Sequence, residues 1–161
     1  MTWVIGGIAP FGYGVGISDI RISWGKNDFK DCLQKVYPVG NFIIAGFSGS
    51  VDLAFLIIED LKHFLISDNP NEAWIPEWVA IKWRRRARRI FKTAPAEQQK
   101  LGSSVLMIGI HPNQNEGESP WPKGTACSFK APNFEAMFTK RGEFISIGSG
   151  STVKDYVSML T

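Results

Sequence analysis

Cysteine and histidine are scarce in this 161-residue chain, and their scarcity excludes several kinds of site. The two cysteines, Cys32 and Cys127, are too few for a disulfide framework and form no C-x-x-C zinc pair. The two histidines, His63 and His111, leave little room for a His-rich metal site. We therefore expect a protein that needs neither a structural metal nor a cofactor.

Long apolar runs are also lacking. No stretch of about 18 apolar residues could span a bilayer, and no basic-then-apolar leader opens the chain. We therefore expect no membrane partner and a cytoplasmic location. The chain is 44% hydrophobic and has six Trp, a composition that excludes disorder. Its length suits a single domain over residues 1–161.

Acidic residues are absent from one segment that is rich in cations. Between Lys82 and Lys92 there are seven Lys or Arg and no acid, which leaves the rest of the chain with 11 cations and 15 acids. The simplest interpretation of the Arg84–Arg89 helix is a solvated face or a charged subunit contact. Nucleic-acid binding is a weaker alternative, because there is no recognised motif and Trp78 and Trp83 are expected to pack inside. Nucleic acid is thus an unlikely partner.

The pattern along the chain predicts strands, then two helices, then strands and a final helix. Such segregated runs favour an α+β fold with a layered antiparallel sheet over alternating βαβ units. The predicted strands are Thr2–Ile8, Gly14–Trp24, Asn41–Gly46, Ser104–His111, Ala126–Lys130, Glu135–Thr139 and Glu143–Ile147. The predicted helices are Val51–Leu65, Pro76–Thr93 and a last one after Gly148–Ser151.

Three local features refine this outline. The helix that starts at Val51, with Ser50 as its predicted cap, is apolar around most of its girth, so we expect it to lie between two layers. Gly12, Gly14 and Gly16 lack the spacing of a phosphate-binding loop. Close approach of the backbone in a sheet is their expected use.

Thr2 is a candidate nucleophile. A small residue after Met1 permits removal of that methionine, which would leave the Thr2 amine free. A free α-amine has a pKa near 7.7–8.0 and can act at neutral pH as the general base for its own hydroxyl.

Four segments together point to one family. They are Gly16–Arg21 (GISDIR), Gln34–Val36 (QKV), Ile43–Asp52 (IIAGFSGSVD) and Ile147–Ser151 (IGSGS). In this order they resemble the proteasome β-subunit family of N-terminal-nucleophile hydrolases, and most closely the peptidase subunit of the bacterial two-component ATP-dependent protease. That family has an N-terminal Thr strand, an A-D-x-R element, a lysine, an A-G-x-x-G turn and a G-S-G turn.

The resemblance implies a site and a fold. Thr2 would be the nucleophile, Asp19 the acid that holds Lys35, Gly46 the oxyanion donor, and Ser149 a group that positions water. The Lys35 ammonium would disfavour protonation of the nearby α-amine. The implied fold is an αββα four-layer sandwich, the N-terminal-nucleophile hydrolase fold. Its C-terminal helical layer is expected to be incomplete, since few residues follow the G-S-G turn.

The implied function is that of a threonine peptidase. It would cleave peptides or unfolded proteins through an acyl-enzyme on Thr2, within a homo-oligomeric ring that an ATP-dependent unfoldase feeds. The alternative is a non-catalytic subunit or scaffold of the same fold. Each residue also has a purely structural explanation: Asp19 and Arg21 could be a surface ion pair, Lys35 a solvated side chain, and the glycines ordinary turns.

Overall fold

The computed structural model describes residues 2–23, 28–66, 75–111 and 122–149. Within these ranges the chain forms ten strands and three helices, which confirms a mixed α+β protein. The strands are β1 (Val4–Ile8), β2 (Gly14–Ser18), β3 (Arg21–Ser23), β4 (Phe29–Asp31), β5 (Val36–Gly40), β6 (Ile43–Gly49), β7 (Ser103–Ile110), β8 (Gly124–Lys130), β9 (Met137–Phe138) and β10 (Phe144–Ile147). The helices are α1 (Val51–Leu65), α2 (Pro76–Thr93) and α3 (Ala96–Leu101).

The strands form three antiparallel sheets. A five-stranded sheet has the order β5-β6-β7-β8-β9, a three-stranded sheet the order β10-β1-β2, and β3 pairs with β4. In the three-stranded sheet Val4 lies between Ser18 and Ile147. This pairing brings the start of the chain beside the end of β10.

Two apolar clusters lie on opposite faces of the five-stranded sheet. One face packs against α1 and α2, where Trp83 is fully buried and lies edge-on to Phe129. The other face packs against the three-stranded sheet, through side chains such as Val4, Leu106 and Ile108. The described part of the chain thus has a helical layer and two sheet layers.

Glycines let the two sheets approach closely. A Cβ atom on Gly6 would lie 2.5 Å from Ile108 Cδ1, and one on Gly14 would lie 2.7 Å from Ile108 Cγ2. On Gly16 it would lie 3.3 Å from Ile44 Cδ1. The expectation of close backbone approach at Gly14 and Gly16 is confirmed.

The two long helices begin and end near where the sequence predicts, but several other expectations about them are not met among the described residues. Phe55 and Leu56 are exposed on one face of α1, so this helix does not lie between two layers of the described residues. The Ser50 side chain makes no capping hydrogen bond. His63 is exposed, as predicted. Trp78 is 59% exposed, whereas packing inside was expected.

Other differences concern short elements. The predicted strand 14–24 divides into β2 and β3, while β4, β5 and α3 were not foreseen. The predicted final helix lies outside the described residues, so the four-layer sandwich stays a prediction. None of the helices in the described ranges combines the length and the apolar character needed to cross a membrane.

Candidate active site

Lys35 lies immediately before β5 and is 1% exposed. Its ammonium forms an ion pair with the carboxylate of Asp19 and donates a hydrogen bond to the Arg21 carbonyl oxygen at 2.6 Å. A buried ammonium needs such partners because the loss of hydration costs several kcal/mol. The alternative of a solvated lysine is therefore wrong.

Asp19 occupies the link between β2 and β3 and holds three groups. Besides the ammonium of Lys35, its carboxylate accepts hydrogen bonds from the Trp3 N–H at 2.5 Å and the Arg21 N–H at 3.0 Å. The guanidinium of Arg21 pairs with Asp31 instead, at 2.7 Å. The ion pair between Asp19 and Arg21 that was the structural alternative does not form. Asp19 thus fixes the lysine relative to the start of β1.

Thr2 and Ser149 lie together although they are 147 residues apart in sequence. The pairing of β1 with β10 causes this, since Val4 stands opposite Ile147. The Thr2 N–H donates to Ser149 Oγ at 3.0 Å. In the full chain this nitrogen belongs to the peptide bond with Met1. After removal of Met1 the same atom would be a free amine beside the Ser149 hydroxyl.

A cavity of about 150 Å³ connects these groups. Thr2, Lys35 and Ser149 all line it. Its remaining walls come from Arg21, Ile22, Ser23, Phe47, Gly49 and Val51. Thr2 and Ser149 also line a larger cleft of about 1070 Å³ that extends past the ends of β6, β7 and β8. The structure therefore places three of the five predicted site residues around one space, with Asp19 directly behind Lys35.

Gly46, like Asp19, borders neither cavity. It lies inside β6, between Val36 of β5 and Leu106 of β7. The next amide, that of Phe47, donates to the Lys35 carbonyl oxygen on the β5 side at 3.1 Å. Because successive N–H groups of a strand point to opposite sides, the Gly46 N–H faces β7.

Gly49 lines both cavities and was missed as a site residue. By the same alternation its N–H lies on the β5 side of the strand, as that of Phe47 does. Gly49 has φ +104°, a value that favours glycine. The G-x-x-G spacing after Ala45 was the only sequence signal for it.

A second polar cluster lies at the other end of the sheet. Glu77, in the first turn of α2, accepts a hydrogen bond from Thr125 at 2.5 Å and lies 3.0 Å from His111 Nε2. Burial by itself would raise the pKa of Glu77, but the hydrogen bonds from Thr125, the backbone and His111, with the charge of His111, outweigh it. The net pKa of Glu77 is therefore lowered.

Cys127 lies in β8 and is fully buried. Burial raises the pKa of its thiol, and the charge of Glu77 raises it further. The nucleophilic thiolate is therefore disfavoured, so Cys127 is a packing residue.

Nothing in the described ranges resembles a metal centre, since no three His, Cys, Asp or Glu side chains there are arranged to hold an ion. No model of a known protein family and no curated protein matches this chain. The arrangement of Thr2, Asp19, Lys35 and Ser149 is therefore the feature of this chain that points to a function.

Proposed function

We propose that this protein is a threonine peptidase of the proteasome β-subunit type, with Thr2 as its nucleophile. The observation that supports this most directly is the buried Lys35 ammonium, which is held by Asp19 and borders the same cavity as Thr2 and Ser149. A buried charge that borders the same cavity as a hydroxyl, and as a nitrogen that becomes a terminal amine once Met1 is removed, is the arrangement that nucleophile activation requires.

The chemistry follows from these positions. The free amine of Thr2 takes the proton of its own hydroxyl, and the alkoxide attacks the peptide carbonyl carbon to form a C–O bond. The C–N bond then breaks as the leaving amine receives that proton, which leaves an ester on Thr2. A water molecule hydrolyses the ester by the same base. Lys35 favours the unprotonated amine because like charges repel, and Ser149 orients the amine by a hydrogen bond.

The oxyanion needs a hydrogen-bond donor that faces the cavity. The resemblance assigns this role to Gly46, whereas the lining of the cavity favours Gly49. We therefore assign the Gly49 N–H, next to the N-terminus of α1, as the donor. The positive end of the α1 dipole adds to its effect.

The same resemblance is the basis on which we propose a substrate and an assembly. The larger cleft of about 1070 Å³ could accommodate an extended peptide, so a peptide or an unfolded protein is the proposed substrate. A homo-oligomeric ring, fed by an ATP-dependent unfoldase, is the proposed setting. The αββα four-layer fold is part of this proposal.

A second candidate is a non-catalytic subunit of the same fold. It is favoured by one observation: with Met1 attached, the Thr2 nitrogen is an amide that donates to Ser149, and it cannot act as a base. The state of residue 1 thus separates the two candidates.

The test combines intact mass with hydrolysis of a panel of fluorogenic peptides. For the peptidase we expect a mass without Met1, and a loss of at least about 10³-fold in kcat/KM for Thr2→Ala. Thr93→Ala, which alters an exposed threonine at the end of α2, is the matched control and should keep full activity. Hydrolysis that survives Thr2→Ala would contradict the assignment. Retained Met1 without hydrolysis would favour the non-catalytic subunit.

A further inference from the structure

The outer face of the helical layer carries large apolar side chains that nothing in the described structure covers. Leu56 on α1 is 58% exposed, and on α2 Trp78 is 59% and Ile81 56% exposed. Scattered apolar residues are normal on a surface, but a group of them on two adjacent helices marks an interaction site.

On α2 this apolar group continues into a row of cations. Lys82, Arg85, Arg89 and Lys92 follow Trp78 at spacings of three and four, so all five lie on one exposed face of the helix. The Lys82 ammonium lies 4.6 Å from the centre of the Trp78 ring. Among the described residues none of the four cations makes a salt bridge.

Two other arginines of α2 are already engaged. Arg86 binds Asp60 of α1 through two hydrogen bonds of 2.7 and 2.9 Å, and Arg88 donates to the Asn133 carbonyl oxygen at 2.7 Å. They belong to the fold of the molecule. Apart from Arg84, the α2 cations without these partners among the described residues are therefore those of the outward row.

The neighbouring helix presents the opposite charge. Asp52, Phe55, Leu56 and Glu59 recur on α1 at spacings of three and four and are all exposed. The helical layer thus has an acidic and apolar row beside a basic and apolar row.

The two helices run in opposite directions. α1 starts after Gly49, which is paired with Ser103 at one end of β7. α2 starts at Pro76, which packs on Gly109 at the other end of that strand. The contacts of Asp60 with Trp83 and Arg86 fix the position of α1 relative to α2 along the helix axes.

We propose that this layer is a self-complementary docking surface for a second copy of the chain. A twofold axis parallel to the helices would place α1 of one copy over α2 of the other. It would leave the position of each residue along the helix axes unchanged. With a rise of about 1.5 Å per residue, Asp52 of one copy then lies at the same position along the helix axis as Arg89 and Lys92 of the other copy. Glu59 likewise lies at the position of Arg85. Leu56 then lies between these ion pairs, and Trp78 and Ile81 extend the contact beyond the pair of Glu59 and Arg85.

A second copy fits this surface better than a nucleic acid. Asp52 and Glu59 are exposed on the adjacent helix and would repel phosphates. In the twofold arrangement Asp52 acquires a cation, Glu59 gains a second one beside its partner Lys62, and both rows are used. Trp and Arg are the residues that most often dominate the energy of protein interfaces.

The test is a charge exchange followed by mass measurement with light scattering. Variant A carries Arg85→Glu and Arg89→Glu, and variant B carries Asp52→Lys and Glu59→Lys. We expect the mass of each particle to fall by a factor of two relative to the unaltered protein. An equimolar mixture of A and B should regain the full mass, because every reversed charge then meets its opposite.

The control reverses two exposed lysines outside this layer, Lys30→Glu and Lys140→Glu, and should keep the full mass. Circular dichroism verifies that each variant is folded. An unaltered protein that is monomeric at 100 μM, or a mixture that stays at half mass, would overturn the proposal. So would binding of labelled single-stranded dT20 that is lost in variant A while the mass is unchanged. The readout is a mass, so its result does not depend on whether Thr2 is catalytic.

Discussion

Lys35 is a charged residue whose side chain is almost completely buried. The residue is 1% exposed, and the carboxylate of Asp19 and the carbonyl oxygen of Arg21 replace its hydration. Asp19 in turn is held by two backbone N–H groups. At the scale of the residue, the proposed site is therefore an ion pair whose position the surrounding backbone determines.

This burial predicts that Asp19→Asn strongly destabilises the protein. Removal of one partner leaves a buried ammonium without its counter-charge, which costs about 3–5 kcal/mol of the free energy of unfolding. The control is Asp31→Asn, which breaks the exposed pair with Arg21 and should leave the free energy of unfolding nearly unchanged. Urea denaturation at pH 7 measures both. Similar losses in the two variants would mean that Lys35 is not buried as described.

The lowered pKa of Glu77 predicts that part of the free energy of unfolding is lost at acidic pH. Its pKa is lowered in the folded protein, so its contribution is present above the ordinary value near 4.3 and is lost as the pH falls through the folded pKa. The difference in unfolding free energy between the unaltered protein and Glu77→Gln should therefore shrink from pH 7 to pH 3. Thr125→Val removes one cause of the lowered pKa and should make the acid-dependent loss smaller. An equal difference at both pH values would contradict this assignment.

At the scale of the element, small residues decide how closely the two sheets pack. Gly6 and Gly16 stand opposite each other on β1 and β2, on the face toward the five-stranded sheet. A Cβ on Gly6 would lie 2.6 Å from the Val15 carbonyl oxygen, whereas on Gly16 the nearest atom would be 3.3 Å away. The two positions therefore form a matched pair for substitution.

Gly6→Ala should lower the free energy of unfolding by about 1–3 kcal/mol, because the backbone must shift to admit the methyl group. Gly16→Ala should change it by less than about 1 kcal/mol, because only the flexible end of Ile44 has to move. Thermal or urea denaturation of the two variants measures the difference. Equal losses would show that the sheets are not packed at these glycines.

Helices proved more predictable from local sequence than short strands. α1 is a long, largely apolar segment and α2 has a clear apolar period with Pro76 suited to its first turn, so Val51–Leu65 and, approximately, Pro76–Thr93 were predicted as helices. β5 contains Pro38, and α3 has six residues, so neither has a clear period. These short elements form because neighbouring strands and chain connections hold them, which a local pattern does not reveal.

At the scale of the whole molecule, antiparallel pairing gathers distant segments into one site. Thr2, Lys35 and Ser149 border the same cavity because β1 pairs with β10 and because β5 pairs with β6. The tertiary structure also determines where the charged side chains lie. Four of the seven cations of one segment form an outward row on α2, and the adjacent helix α1 exposes acids.

The sequence by itself determined the α+β class, the two long helices and the identity of the four residues around the proposed site. These follow from periodicity, from turn residues and from a series of short motifs, all of which are local. Only the tertiary structure decided that Lys35 is buried against Asp19, that Gly49 rather than Gly46 borders the cavity, and that Trp78 is exposed. Burial and the side of a strand that an N–H faces depend on neighbours distant in sequence, so no local pattern contains them.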